Sequence, residues 1–345
     1  MTDPETPEEA PRRGFIRIIF RLIFSSVIIG LILGLVFGGM AAWLTYDAQL
    51  HRPGRHAEDV AVIIPAGAGR VVISARLNAA GIGHSGWVYQ LEEWRRGAGF
   101  VPKAGEFLLP EGASLAAALD IIHEGKSIQH SLTIPEGWTS TMVVNAINAD
   151  DRLDGVLTPL PVEGGLLPET YFFTRGADRN ALLARMMQAR EIRFATLWSE
   201  RQQDLPFSSL EEAVVLASII EKETGLAGER GLVASVFVNR LRKGMKLQSD
   251  PTVLYGMEQA GEGVKTLLRR HLNHPSPWNT YRHKGLPPTP ICNPGIESLK
   301  AALNPPESPY FYFVADGKGG HAFAITLDEH NRNVRAWRKS RNATQ

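Results

Sequence analysis

The chain has 345 residues, of which 44% are hydrophobic and 21% charged, so it is long enough for more than one domain and too apolar to be disordered. Its 37 Lys and Arg residues nearly balance 36 Asp and Glu residues, which disfavours nucleic acid as a partner because polyanion binding needs a basic surface. Cys292 is the single cysteine, which excludes an internal disulfide and a thiolate metal cluster.

An uncharged apolar stretch lies near the N-terminus, at residues 22–44. It slightly exceeds the ~20 residues that cross the hydrocarbon core of a bilayer. Its apolar residues surround a helix without a polar face, which disfavours a buried helix of a soluble core. A signal peptide is the alternative, although its apolar core would measure only about 7–15 residues. The stretch therefore predicts a transmembrane helix.

Basic residues flank this stretch unequally. Those before it are Arg12, Arg13, Arg17 and Arg21, and those close after it are Arg52 and Arg55. The positive-inside rule then predicts a single-pass membrane protein with a cytoplasmic N-terminus and an extracytoplasmic remainder. Residues 46–58 are polar and contain Pro53 and Gly54, which indicates a stalk between the membrane and the folded part.

A local pattern recurs three times in the first half of the chain: an apolar strand-like run ends in Pro-x-Gly and a helix-like stretch follows. The copies are VAVIIPAG, EFLLPEG and SLTIPEG, which end at Gly67, Gly112 and Gly137. Pro and Gly stop a strand, and Ser114 and Thr139 are suitable helix N-caps. Each copy therefore predicts a strand, a turn and a helix.

Two amphipathic stretches, residues 69–80 and 85–96, lie between the first two copies and predict helices. Residues 60–110 would then form a strand, helix, helix, strand unit, an order that resembles a glycan-binding module of the LysM type. The alternative is a small α+β packing domain in which Trp87, Tyr89 and Trp94 are ordinary core or surface aromatics.

A capping box at Ser209 and Glu212 opens a helix, and the run AVVLASII leads into Glu221. At ~100° per residue, Ser218 and Glu221 share the apolar face, whereas Glu223 lies almost opposite. Loss of hydration would raise the pKa of Glu221 toward a value useful for a general acid, and Glu223 has no such reason to be perturbed. The alternative is an ion pair of Glu221 with Arg230 or Arg240. Periodicity alone leaves both open.

Polar and aromatic loops follow the next helix, which is predicted at residues 229–243. Gln248, Ser249 and Asp250 precede Pro251 and suit sugar hydroxyls, although they also suit a helix cap. The Pro-rich stretch 274–295 predicts an ordered wall of a cleft. In it Trp278 and Tyr281 could stack on sugar rings and Asn279 could donate hydrogen bonds, or the aromatics could pack on prolines. Asn293 and Pro294 predict the start of a helix that ends at Leu303.

Two alternating runs around residues 316–320 predict a β-hairpin at the end of the fold. We expect no helix after this hairpin, and the GxxxxGK[ST] spacing is absent, so both features disfavour a nucleotide site. His321 could reach the cleft, but a hydrogen-bonded structural histidine is the favoured interpretation. His271, His274 and His283 lack an HExxH pattern and a cysteine partner, so no metal and no cofactor is predicted.

Five segments together resemble the endolytic murein transglycosylases of the MltG, or YceG-like, type. They are LLPETYFF (166–173), ASIIEKETG (217–225), VFVNRLRKGMKLQSDPTVLYG (236–256), GLPPTPICNPG (285–295) and YFYFVADGKGGHAF (310–323). The resemblance covers nearly all of the chain beyond the stalk. It implies an α+β protein with a membrane anchor, a LysM-like subdomain and a catalytic domain. It also implies that Glu221 is the catalytic glutamate.

The predicted organisation is a cytoplasmic tail (1–21), a transmembrane helix (22–44), a periplasmic stalk (45–58), a LysM-like subdomain (59–127) and a YceG-like catalytic domain (128–345). The residues predicted to bind substrate are Ser218, Gln248, Asp250, Asn279, Tyr281, Glu169 and Tyr171. The implied partners are peptidoglycan glycan strands, the lipid bilayer and peptidoglycan synthases.

The implied reaction needs one carboxyl group. Ordinary glycosidases use two carboxyl groups about 5–5.5 Å or 6.5–9.5 Å apart. In a lytic transglycosylase the C6 hydroxyl of the same sugar attacks C1, so no protein nucleophile is needed. Two alternatives remain: a muramidase-type hydrolase with Glu169 or Asp250 as the second carboxylate, and a glycan-binding scaffold without activity.

Overall fold

The computed structural model describes residues 12–83, 85–157 and 160–343, so the first eleven residues of the predicted tail lie outside the described part. The chain divides into two compact units, Met1–Ile128 and Gln129–Gln345. Both mix helices with short strands, which confirms the predicted α+β class. Each unit is described by itself.

The first unit contains four helices and two strands among its described residues. In chain order they are α1 (Arg12–His51), β1 (Val60–Ile64), α2 (Arg70–Ala79), α3 (Gly86–Arg96), β2 (Gly105–Leu109) and α4 (Leu115–Glu124). Strands β1 and β2 are antiparallel, with Val60 opposite Leu109. The predicted strand, helix, helix, strand order is thus confirmed.

Helix α1 is long and apolar enough to cross a membrane over Arg17–His51, as the sequence predicts. It extends further than predicted, because residues 46–51 are helical and not part of a stalk. Tyr46 and Leu50 are each only 3% exposed and belong to the core of the first unit. The prediction of a stalk is wrong for these residues. Their spacing of four residues puts both side chains on one helix face, which overall polarity does not reveal.

The second unit contains seven helices and six short strands among its described residues. They are β3 (His130–Thr133), α5 (Ser140–Ala149), β4 (Leu153–Asp154), β5 (Thr170–Phe173), β6 (Ala177–Asp178), α6 (Arg179–Ser199), α7 (Leu210–Glu223), α8 (Arg230–Arg242), α9 (Asp250–Gln259), α10 (Ile296–Leu303), β7 (Tyr312–Ala315), β8 (His321–Ala324) and α11 (Leu327–Ala343). Strand β3 pairs antiparallel with β5, β4 pairs parallel with β6, and β7 pairs antiparallel with β8.

The local turn and capping predictions are confirmed. Gly67, Gly112 and Gly137 have positive φ angles, and a helix follows each of them. Ser114 and Thr139 cap α4 and α5 through their side chains.

Helix α7 is the centre of the second unit. The capping box of Ser209 and Glu212 starts it as predicted. It packs against α6, α8, α9 and α10, and every residue from 213 to 220 is buried. The helix therefore has no polar face, and angular position along it does not separate buried from exposed side chains.

Two features near the C-terminal end differ from the predictions. Helix α10 begins at Ile296 with Gly295 as its N-cap, so Asn293 and Pro294 do not start it. Asn293 instead accepts a hydrogen bond from the amide of Leu166 (3.0 Å) and donates to the carbonyl of Trp138 (3.0 Å). The predicted hairpin is present as β7 and β8, but α11 follows it and packs against both strands.

Candidate active site

The last turn of α7 carries two carboxyl groups, at Glu221 and Glu223, and both side chains are half-buried. Glu221 Oε2 accepts a hydrogen bond from the backbone amide of Gly295 (3.0 Å), at the start of α10. The proposed ion pair with Arg240 is not formed, since the Arg240 guanidinium donates to the carbonyls of Phe311 and Leu247, both at 2.6 Å. Glu221 thus ties α7 to α10.

Glu223 lies in different surroundings. The Ser249 hydroxyl donates a hydrogen bond to Glu223 Oε1 at 2.6 Å. Burial raises the pKa of Glu223 to about 7, and the negative charge of Asp250 adds to the increase. The Ser249 hydrogen bond and the nearby His321 and Arg240 oppose this rise in pKa. The expectation that Glu223 would be unperturbed is therefore wrong.

The failure of that expectation has a physical cause. A helix with one buried and one exposed side would point Glu223 to water. The start of α9 packs against the end of α7, where Ser249 contacts the Glu223 carboxyl group, so this side is enclosed as well. Desolvation of the carboxyl group then favours its neutral form.

The Ser249 hydroxyl faces Glu223, and the loop that carries Ser249 is hydrogen-bonded to a second loop at Thr280. The amide of Gln248 donates to the Thr280 carbonyl (3.2 Å), and the amide of Ser249 donates to the Thr280 hydroxyl (2.9 Å). Gln248 has a positive φ of 54°, a conformation uncommon for a residue with a side chain. Ser249 occupies the N-cap position of α9 but makes no side-chain cap bond there. Its hydroxyl is directed to Glu223 instead.

Asp250 follows Ser249 in the chain, and it is hydrogen-bonded to Tyr281. The Tyr281 hydroxyl donates to Asp250 Oδ1 at 2.6 Å. Burial raises the pKa of Tyr281, and the hydrogen bond to Asp250 raises it further, so the phenol stays protonated. Gln248 and Asp250 are exposed and Tyr281 is half-buried. The structure thus brings these three predicted substrate-binding residues together around the loop that contacts Glu223.

Three other residues predicted to bind substrate are buried and bonded to the protein itself. The Ser218 hydroxyl donates to the Val215 carbonyl (2.7 Å) and accepts from the Ile291 amide (3.0 Å). Asn279 donates to the carbonyls of Leu272 (3.0 Å) and His274 (2.7 Å), and the Tyr171 hydroxyl donates to the Leu167 carbonyl (2.7 Å). Ser218 and Asn279 are fully buried and Tyr171 is 5% exposed, so these predicted contacts are corrected to structural roles.

The other side chains considered from the sequence are Glu169, Trp278 and His321. Glu169 precedes β5, and its side chain is exposed. Trp278 donates through Nε1 to the Thr289 hydroxyl (2.9 Å) and meets the ring of Tyr255 on α9 edge-on, so it packs between its own loop and α9. His321 is paired through Nδ1 with Glu229 at 2.6 Å, the structural role favoured above. Within the described ranges, no group of three or more His, Cys, Asp or Glu residues could hold a metal ion.

A half-buried carboxyl group with a near-neutral pKa, bordered by exposed polar and aromatic side chains, is a candidate general acid/base site. The chain belongs to the YceG-like family, whose profile matches residues 62–336. The predicted family resemblance is therefore confirmed. Both glutamates belong to one short motif and differ in their folded contacts, so Glu221 stays the predicted catalytic residue and the structure adds Glu223 as a second candidate.

Named relatives support the same family. The chain is 38% identical over 183 residues to an endolytic murein transglycosylase of Bacillus subtilis (strain 168), covering 53% of this chain and 49% of the relative. It is 26% identical over 321 residues to an endolytic murein transglycosylase of Streptococcus pneumoniae serotype 2 (strain D39), covering 80% of this chain and 58% of the relative. The chain thus spans about half the length of these curated relatives.

A solved structure agrees with the fold. The crystal structure of a yceG-like protein from Listeria monocytogenes matches with a TM-score of 0.52 and 30% identity. The match covers 80% of this chain and 98% of the other.

Proposed function

We propose that this protein is a membrane-anchored endolytic transglycosylase of peptidoglycan in which Glu223 is the general acid and base. The observation that carries the proposal is the Glu223 carboxyl group, whose pKa burial raises to about 7 beside Ser249 and Asp250. A carboxyl group that holds its proton near neutral pH can protonate a leaving oxygen. The curated relatives, which are named endolytic murein transglycosylases, supply the substrate class.

The chemistry proceeds with one carboxyl group. Glu223 protonates the β-1,4 glycosidic oxygen between N-acetylmuramic acid and N-acetylglucosamine, and the C1–O bond breaks. The resulting carboxylate accepts the proton of the C6 hydroxyl as that oxygen bonds to C1. The attacking hydroxyl is already tethered to the ring, so the step gains the high effective concentration of an intramolecular reaction. The product is a 1,6-anhydro end, and no water is consumed.

The surroundings support Glu223 over Glu221 in this role. A general acid must reach solvent-accessible substrate and hold its proton, and Glu223 lies beside exposed Gln248 and Asp250 with its pKa raised. Glu221 is engaged with the amide of Gly295, a contact that fixes the start of α10. Glu221 stays the alternative catalytic residue, which the variants below distinguish.

The neighbouring side chains have complementary roles in this proposal. Gln248, Asp250 and Tyr281 bind sugar hydroxyl and acetamido groups, since they offer an exposed amide, an exposed carboxylate and a half-buried phenol. The charge of Asp250 also keeps Glu223 protonated. Under the alternative of a muramidase-type hydrolase, Asp250 or Glu169 would instead activate a water molecule.

The first unit supports a location of the protein at a membrane. Helix α1 anchors the protein in the inner membrane with its N-terminus in the cytoplasm, supported by the arginines that precede the apolar stretch. Residues 59–127 act as a LysM-like glycan-binding subdomain, supported by the order of β1, α2, α3 and β2. An anchored enzyme would meet new strands next to peptidoglycan synthases, which are the proposed protein partners.

Mass analysis of products from purified glycan strands tests the reaction. The full-length protein in detergent is expected to release fragments with 1,6-anhydro ends. Reducing ends would support the hydrolase, and intact strands would support a scaffold without activity. Either result overturns the proposed reaction.

A matched pair of variants tests the residue. Glu223→Gln removes the transferable proton and should lower turnover roughly 10²–10⁴-fold. Glu221→Gln keeps an oxygen that can accept the Gly295 amide, so it should retain most activity. The reverse pattern would assign the role to Glu221, and equal loss in both variants would contradict either single assignment.

A further inference from the structure

Helix α3 exposes an apolar stripe on the surface of the first unit. Trp87 is 47% exposed, Leu91 38% and Trp94 79%. Their spacing of four and three residues puts them on one face of the helix. The opposite face enters the core through Val88, Tyr89 and Glu92. The stripe is thus separate from the packing surface of α3.

Tyr46 lies on helix α1 and contacts two residues of helix α3. Its ring is buried, its hydroxyl donates a hydrogen bond to the buried Glu92 carboxylate, and its centroid lies 6.5 Å from that of Trp87. Glu92 also accepts hydrogen bonds from Arg95 and Arg96, each at 2.6 Å. The position of α3 along α1 is therefore fixed by contacts between side chains that are mostly buried.

These contacts set the depth of α3 relative to a bilayer. The apolar stretch of α1 ends at Leu44, and Tyr46 lies two residues further, about 3 Å along the helix axis. The headgroup layer on each side of a bilayer is roughly 5–8 Å thick. The residue that contacts Trp87 is thus at headgroup depth when α1 spans the membrane.

A third tryptophan continues the stripe toward the lipid. Trp43, at the end of the apolar stretch, is 56% exposed, and its ring centroid is 5.6 Å from that of Tyr46. The aromatic series Trp43, Tyr46, Trp87 therefore runs from the membrane-spanning helix to α3. Trp and Tyr are enriched at membrane interfaces because their rings combine an apolar body with a polar group.

We infer that the exposed face of α3 formed by Trp87, Leu91 and Trp94 lies in the lipid headgroup layer of the leaflet where α1 leaves the membrane. This inference rests on the proposed membrane anchor. It gives the first unit a second attachment to the bilayer, so that this unit lies against the membrane and does not swing on α1. A glycan strand is the competing occupant, because exposed tryptophans also stack on sugars. Continuity with Trp43 favours lipid.

Labelled single-site variants of the full-length protein test the inference in liposomes of phosphatidylethanolamine and phosphatidylglycerol. The native Cys292 is fully buried, so an environment-sensitive fluorophore can be directed to an introduced cysteine. Leu91→Cys reports on the stripe. Leu108→Cys is the matched control, an apolar residue 49% exposed on β2 of the same unit, and Leu33→Cys marks the membrane-spanning part of α1.

The expected result is a blue-shifted Leu91→Cys label that headgroup-attached nitroxide lipids quench and iodide does not. The Leu108→Cys label should show the opposite behaviour. Exchanging Trp87 and Trp94 together for serine should weaken the nitroxide quenching at position 91.

Three outcomes would overturn the inference. If the Leu33→Cys label is quenched by acyl-chain nitroxides and the Leu91→Cys label is open to iodide, the anchor holds and the docking of α3 is wrong. If neither label is quenched by lipid, the anchor itself fails. If added glycan strands, and not lipid, shield the Leu91→Cys label, the stripe is a sugar-binding surface. Activity measured on glycan strands is independent of all three.

Discussion

At the scale of single residues, Glu221 and Glu223 show how strongly immediate contacts determine the chemistry of identical side chains. Glu221 accepts the amide of Gly295, whereas Glu223 accepts the hydroxyl of Ser249 and lies near the charge of Asp250. The two contacts differ although the residues are two positions apart on one helix. The difference has consequences for stability as well as for catalysis.

The raised pKa of Glu223 predicts a loss of stability with increasing pH. Between about pH 4.5 and 7 the folded protein keeps the proton on Glu223 while the unfolded chain releases it, so the free energy of unfolding falls as pH rises through this window. At about 1.4 kcal/mol per pKa unit, a rise in pKa from 4.5 to about 7 corresponds to a loss of about 3–4 kcal/mol. Glu223→Gln removes the ionisable group and should therefore be more stable than the natural protein at pH 8.

Urea unfolding of the natural protein, Glu223→Gln and Glu221→Gln at pH 4 and pH 8 checks this prediction. The gain of Glu223→Gln should be present at pH 8 and absent at pH 4. An equal gain at both pH values would show that removal of the titratable group is not its cause.

Ser249→Ala tests the hydrogen bond to Glu223. The hydroxyl favours the ionised carboxylate, so its removal should raise the pKa of Glu223 further and move the alkaline limb of the pH–rate profile upward, by about one unit or less. Ser249→Thr keeps a hydroxyl and should leave the limb in place. A uniform fall in turnover without a shift of the limb would indicate a purely structural role.

At the scale of secondary structure, α7 and the Pro-rich loop form one assembly. The Ser218 hydroxyl accepts the amide of Ile291, and Glu221 accepts the amide of Gly295, so two side chains of the helix hold this loop at two points. Asn293 holds the same loop to the residues before β5 through the amide of Leu166. These bonds support the elements that border the candidate site.

Ser218→Ala distinguishes this supporting role from substrate binding. It leaves the buried amide of Ile291 without its acceptor and should lower the free energy of unfolding by about 1–3 kcal/mol, with KM for glycan strands unchanged. Ser199→Ala is the control, since that hydroxyl also bonds a carbonyl three residues earlier but is exposed, and it should cost at most about 0.5 kcal/mol. A raised KM with unchanged stability would restore Ser218 as a substrate contact.

At the scale of the whole molecule, the apolar helix α1 is continuous with the core of the first unit. Tyr46 and Leu50 pack among the residues of β1, β2 and α2 to α4, so the end of the helix that is long and apolar enough to span a membrane also stabilises the folded part. A flexible stalk would let the two move independently. The continuous helix instead couples the orientation of the folded part of the first unit to that of the apolar part of α1.

Leu50→Ala measures this coupling. The side chain is 3% exposed, and its truncation should destabilise the first unit by about 2–5 kcal/mol. Hydrogen exchange of the β1 amides in the detergent-solubilised full-length protein reports the loss. The control is His51→Ala, whose exposed pair with Asp47 should contribute no more than about 1 kcal/mol. Unchanged exchange in Leu50→Ala would mean that residues 46–51 act as a stalk after all.

The sequence by itself determined the features that depend on neighbouring residues. Turn, cap and period rules operate within a few positions of the chain, so features of this kind were predicted. They are the apolar length of residues 22–44, the three Pro-x-Gly turns, the capping box at Ser209 and the hairpin of β7 and β8. Helix α11 was missed because its many charged residues hide the apolar face that packs on the hairpin.

The tertiary structure decided which groups contact each of the two glutamates and which polar side chains stay accessible. The environments of Glu221 and Glu223 depend on Gly295 and Ser249, which lie 74 and 26 positions away and are brought to α7 by the packing of α10 and α9. Ser218 and Asn279 became structural, and Gln248, Asp250 and Tyr281 stayed available, for the same reason. Desolvation and hydrogen bonding depend on atoms brought together by folding, and the local pattern around a residue does not contain them.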